Sequence, residues 1–102
     1  MVDTILKVPV LSKGDEKIMA QDGTMIGAGM AVAAAATIVS LGGSVKLWGR
    51  IGDDTPGDFF LKDLLSIGVD TSSIKRVPGA QTAISSVLVD DTGQRLVVSY
   101  FD

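Results

Sequence analysis

The run "TMIGAGMAVAAAATIVSLGGSV", residues 24–45, carries no charged side chain. Three structures are compatible with it: a membrane span, a glycine-rich turn that opens a phosphate-binding helix, or a helix of small residues packed beside a ligand. Length alone permits a span, since about 20 apolar residues cross a bilayer. Composition opposes one. The centre is alanine, which gains little from lipid, and the ends carry Gly27, Gly29, Gly42 and Gly43 in place of aromatic or basic anchors. Alanine is the strongest helix former, and a following glycine supplies a left-handed stop. The run therefore reads as a helix over 28–41, entered through a tight glycine turn.

Downstream, "SVKLW" at 44–48 reads as a buried strand, with Trp48 in the core. In the loop "GRIGDDTPGD", Thr55 followed by Pro56 predicts a helix N-cap and first turn. Phe59, Phe60, Leu64, Leu65 and Ile67 recur at helical spacing, and Gly68 stops that helix. A return strand is expected over 73–77. Upstream, residues 2–8 alternate as a strand, Pro9 ends it, 12–15 turn, and 17–21 form a second strand. The tail "TAISSVLVDDTGQRLVVSYF" is two β-rich runs around "DDTG", a hairpin signature. The fold class is α/β: a Rossmann-like layer over about 24–77, and hairpin strands over about 2–21 and 81–101 that form a separate sheet.

The chain has 102 residues, enough for one small domain. Its net charge is -3, and its nine Lys and Arg are scattered, which argues against nucleic acid as a partner. It has no Cys and no His. Disulfides, thiolate metal sites and every His-based catalytic pair are excluded. "MVDTILKVPV" lacks the basic and long apolar regions of a signal peptide, so a cytoplasmic setting is expected.

Several motifs have competing readings. "GAGMAV" at 27–32 begins like a dinucleotide-binding fingerprint, but Val32 stands at the third glycine and no acidic residue follows "SVKLW". Asp53 and Asp54 form a carboxylate pair in a loop after a strand, suited to Mg²⁺. The alternative is that they cap the next helix together with Asp58. Asp90 and Asp91 read as turn residues. Arg95, on the tail hairpin, is either an exposed strand arginine or a contact for an anionic substrate.

Taken together the chain resembles the ribokinase-like (PfkB) carbohydrate kinases. Ala28, Gly29, Ala35, Gly42 and Gly52 keep the spacing of that family's first signature. "LGGSVKLWGRIGDDTPGDFFLKDLLSIGVDTSSI" is similar to the segment that follows it, "TAISSVLVDDTGQRLVVSYFD" to the family's lid hairpin, and "VDTILKVP" to the segment after its first strand. The resemblance covers essentially the whole chain. It implies the N-terminal portion of a ribokinase-like domain, in which Asp3 binds sugar hydroxyls and the turn Gly27-Ala28-Gly29, with Ala33 and Arg95, borders the sugar. It also implies ATP and Mg²⁺ as cofactors and a homodimer joined through lid strands. The catalytic aspartate and the ATP pocket belong to a second signature downstream of the matched segment. Ala33 departs from the pattern, because the family has an asparagine there whose amide bonds the substrate. Two other readings stand beside this one: a non-catalytic β-lid dimerisation module, and a dinucleotide-binding α/β protein.

Overall fold

The computed structural model describes residues 1–11 and 14–102. Six strands and two helices follow one another as β1 (Val2–Lys7), β2 (Asp22–Gly27), α1 (Met30–Ser40), β3 (Gly49–Gly52), α2 (Thr55–Ser66), β4 (Ile74–Val77), β5 (Ile84–Val89) and β6 (Arg95–Tyr100). Four strands form one sheet in the order β2-β1-β5-β6, and β3 and β4 form a separate parallel pair. The α/β expectation holds.

The elements differ from the sequence reading in four places. The second strand is 22–27, not 17–21. Asp22 and Gly23 do not break it, because β2 is an edge strand with open flanks, where poor strand formers are tolerated. The 12–15 turn lies partly outside the described residues. Residues 44–48 make only an isolated bridge, Lys46 to Asp70, and the strand begins at Gly49. Trp48 is consequently 78% exposed rather than in the core, since no described strand covers it. Asp54, not Thr55, caps α2, which places Pro56 in its first turn.

The other elements follow their local chemistry. α1 starts after Gly29, whose φ of 118° only glycine adopts readily. It ends where Gly42 turns left-handed, and the Gly43 N–H bonds the Ile38 carbonyl oxygen. One narrow stripe of α1, Val32 and Ala35, is buried. In the β5–β6 turn Asp90 Oδ1 accepts from the Thr92 hydroxyl at 2.7 Å and from the Gln94 N–H at 3.0 Å.

The core joins Val2, Val32, Ala35, Ile51, Phe60, Leu64 and Val69. Each large side chain buried there contributes about 1.5–3 kcal/mol. α2 is the hub: Phe60 and Leu64 reach under β1 and β2 from one side and toward β3 from the other. Gly27 is tailored to that packing. Its N–H donates to Asp63 Oδ2 at 2.7 Å, and a Cβ there would come within 2.9 Å of Leu64. The radius of gyration is 15.3 Å, against about 13 Å for a compact domain of this length. Among the described residues no helix is long and apolar enough to cross a membrane.

Candidate functional site

Strand pairing assigns each residue of the four-stranded sheet to a face. Paired residues share a face, and neighbours along a strand alternate. One face carries three rows: Ile26-Asp3-Ser85-Ser99, Thr24-Ile5-Val87-Val97 and Asp22-Lys7-Val89-Arg95. The other carries Gly27-Val2-Ile84-Tyr100, Met25-Thr4-Ser86-Val98 and Gly23-Leu6-Leu88-Leu96. All the charges of the sheet therefore lie on one side.

A cavity of about 640 Å³ opens on the charged side, within the range of small-molecule sites. Its lining joins Asp3, Ser85 and Arg95 of the sheet to Gly29 and Ala33 at the start of α1. Asp3 is the decisive residue. Its Oδ1 is buried, and it is the one buried side-chain polar atom among the described residues with no hydrogen-bond partner. Such atoms are rare because each costs about 1–3 kcal/mol. Asp3 as a residue is half-buried and lines the cavity, so the wall holds a carboxylate whose hydrogen-bonding capacity the chain itself does not fill.

Four of the six residues singled out in the sequence, Asp3, Gly29, Ala33 and Arg95, meet at this cavity. Gly27 and Ala28 do not line it. Gly27 sits against α2 as described, and the Ala28 N–H extends the β1–β2 ladder to the Met1 carbonyl oxygen at 2.8 Å. Ser85 and Ser99 were missed. Two serines fourteen residues apart on adjacent strands carry no sequence signal, and only the β5–β6 register brings them together.

A second polar cluster ties the sheet to the α/β layer. Asp54 Oδ1 accepts from the Gly57 N–H at 2.9 Å and from the Thr82 hydroxyl at 2.6 Å, while Oδ2 accepts from the Thr82 N–H at 2.9 Å. Thr82 Oγ1 in turn accepts from the Gly52 N–H at 2.9 Å. These donors, the Thr82 hydroxyl foremost, hold the Asp54 carboxyl below the usual range. Asp53 and Asp58 pair instead with Arg76. The Asp53-Asp54 pair is thus divided between two structural roles and does not converge as a Mg²⁺ cradle. Among the described residues no three His, Cys, Asp or Glu side chains are grouped to hold a metal ion. The dinucleotide reading fares no better, because the strand before "GAG" is an antiparallel edge strand and not the parallel strand such a motif needs.

The family model of the pfkB family carbohydrate kinases matches residues 1–102. The chain belongs to the pfkB family. An ATP-dependent ribose-1-phosphate kinase of Halopiger xanaduensis is 34% identical over 96 residues, which are 94% of this chain and 32% of that protein. The crystal structure of a presumed ribokinase from Agrobacterium tumefaciens superposes with a TM-score of 0.95 at 39% identity, over 99% of this chain and 33% of the other. A ribokinase from Cryptococcus neoformans, solved in complex with ADP, gives 0.78 at 27% identity, over 97% of this chain and 31% of the other. The fold of this pfkB chain is a portion of the ribokinase fold, and the chain spans about a third of the length of these relatives.

Proposed function

We propose that this chain forms the sugar-binding and lid portion of a carbohydrate kinase that transfers the γ-phosphoryl group of ATP to a sugar hydroxyl in the cytoplasm. The half-buried carboxylate of Asp3 in the cavity lining, its Oδ1 without a hydrogen-bond partner, carries the reading. A sugar is recognised by fixed acceptors for its hydroxyls and by close backbone approach to its ring. Asp3 supplies the acceptor. Gly29, with no side chain and nothing within 4 Å of a Cβ position, leaves the approach open. Ala33 adds no polar contact, so orientation of the sugar falls to the sheet face. Arg95, at the far row of that face, favours a ligand with an anionic group, in keeping with the sugar phosphate named for the Halopiger relative.

ATP and Mg²⁺ serve the phosphoryl transfer in this reading, and no residue of this chain is assigned to either. The role of this chain is to bind and orient the sugar and to screen it from water. The test is a panel of pentoses, hexoses and pentose 1-phosphates with ATP and Mg²⁺, applied to the full-length protein that carries these residues. Phosphorylation of a sugar or sugar phosphate is the expected result, with no turnover by residues 1–102 alone. A full-length protein inactive on the whole panel would end the reading.

A second reading, self-association through the sheet, rests on the opposite face. Its three rows carry no charge, and Met25, Leu96, Tyr100 and Val98 (63% exposed) are open there. β5 is paired on both sides, so the edges of the sheet are β2 and β6. A homodimer that buries the part of this charge-free face that α2 leaves open suits such a surface. Val98→Lys is expected to shift a dimer to monomer in light scattering without lowering the unfolding temperature of the subunit. A wild-type monomer at high micromolar concentration would count against it.

A further inference from the structure

The row that holds Asp3 continues across the sheet as Ser85 and Ser99. Their hydroxyl oxygens lie 2.6 Å apart, a hydrogen bond in which either atom can donate. Ser85 is buried and Ser99 exposed. Among the described residues they are the only hydroxyl side chains in the cavity lining, and the next row is apolar where it lines the cavity, at Ile5, Val87 and Val97. Apart from Arg95 in the far row, the polar groups of this wall are therefore concentrated in one strip beside a greasy one.

The chemistry of the strip is asymmetric. An ionised carboxylate only accepts hydrogen bonds, whereas a hydroxyl both donates and accepts. In the serine pair one proton lies between the two oxygens. The other remains for a ligand, and so do the free lone pairs. Asp3 and Ser85 sit on adjacent strands, about 4.8 Å apart. A polyol with neighbouring hydroxyls fits this spacing. One hydroxyl donates to Asp3, and the next accepts from the serine pair.

We propose that Ser85 and Ser99 are specificity-determining residues that read a second substrate hydroxyl, next to the one taken by Asp3. This rests on the sugar-binding reading of the cavity. Because the two serines satisfy each other without ligand, a substrate lacking that hydroxyl leaves no stranded buried group. The discrimination is therefore about tenfold, far below that of a site whose polar groups have no other partner.

The experiment uses the full-length protein, its best sugar from the panel, and each monodeoxy analogue of that sugar. The wild type is expected to lose about tenfold in kcat/KM on the analogue that lacks the hydroxyl read by the pair. Ser85→Ala with Ser99→Ala removes both partners together, so no lone hydroxyl is buried. This double variant should treat that analogue and the parent sugar alike, and still reject the analogue that lacks the hydroxyl bound by Asp3. Ser99→Thr keeps a hydroxyl and should keep the selectivity. A double variant with unchanged selectivity, or with an equal loss on every sugar, overturns the proposal. Ser99→Ala alone changes only an exposed residue and should narrow the same ratio, so the question is decided even if the double variant fails to fold. A wild type that phosphorylates no sugar overturns the kinase reading instead, and this one with it.

Discussion

Asp3→Asn in the full-length protein is expected to lower kcat/KM for the sugar by about 100-fold, the loss of charge-assisted hydrogen bonds worth about 1.5–3 kcal/mol. The substitution keeps the shape of the side chain. It replaces one acceptor oxygen with a donor nitrogen and removes the charge. The sign of the accompanying stability change makes the test sharp. Oδ1 of Asp3 is buried without a hydrogen-bond partner in the free protein, so no hydrogen bond offsets its desolvation until a ligand arrives. Asp3→Asn should leave the urea midpoint unchanged or raise it while activity falls. Trading stability for a prepared acceptor is a mark of a binding residue. A fall in stability together with activity would make Asp3 a structural residue.

Gly52→Ala should destabilise the fold by about 3 kcal/mol, enough to leave much of the protein insoluble on expression. Gly52 sits at the end of β3, where its N–H donates to Thr82 Oγ1 at 2.9 Å. A methyl group there would overlap the Ala80 carbonyl oxygen and come within 2.9 Å of the Thr82 nitrogen. Both are backbone atoms, which cannot rotate aside as a side-chain tip would. The clash would push the segment 80–82 outward and pull Thr82 from Asp54. Two further hydrogen bonds, at 2.6 and 2.9 Å, depend on that contact. β5 starts two residues after Thr82, so the sheet would be displaced from the α/β layer at its root. Gly49→Ala is the control. Nothing lies within 4 Å of a Cβ at Gly49, and its effect should stay within about 0.5 kcal/mol. Equal urea midpoints for the two variants would show that the Gly52 contact yields at little cost.

Local rules foresaw the elements with strong local signals. α2 was legible from the spacing of Phe59, Phe60 and Leu64 and from Gly68. The β5–β6 hairpin was legible from "DDTG" between two β-rich runs. α1 was legible from its alanines and the glycine pair after them. The boundaries slipped where a neighbour overrode propensity. Asp54 took the cap from Thr55 because Thr82, 28 residues away, supplies two further donors to the same carboxylate. β2 formed over Asp22 and Gly23 because β1 offered it a full ladder of partners from Val2 to Lys7. Trp48 was misread because an aromatic next to a strand is usually covered, and here no described segment packs over it.

Of the candidate site, the sequence by itself determined the chemistry available: no His, no Cys, few cations, and a small-residue turn beside an acidic strand. It also carried the family pattern, because glycine and aspartate positions are set by local φ, ψ and capping needs that survive in one dimension. Only the tertiary structure decided which of those residues share a cavity. Strand register is a long-range choice, and a slip of one residue sends every side chain to the opposite face. The parallel pairing of β1 with β5 put Asp3 beside Ser85, and the hairpin register put Ser99 beyond it. The packing of Gly27 against Leu64 turned that glycine away from the cavity that its neighbour Gly29 borders.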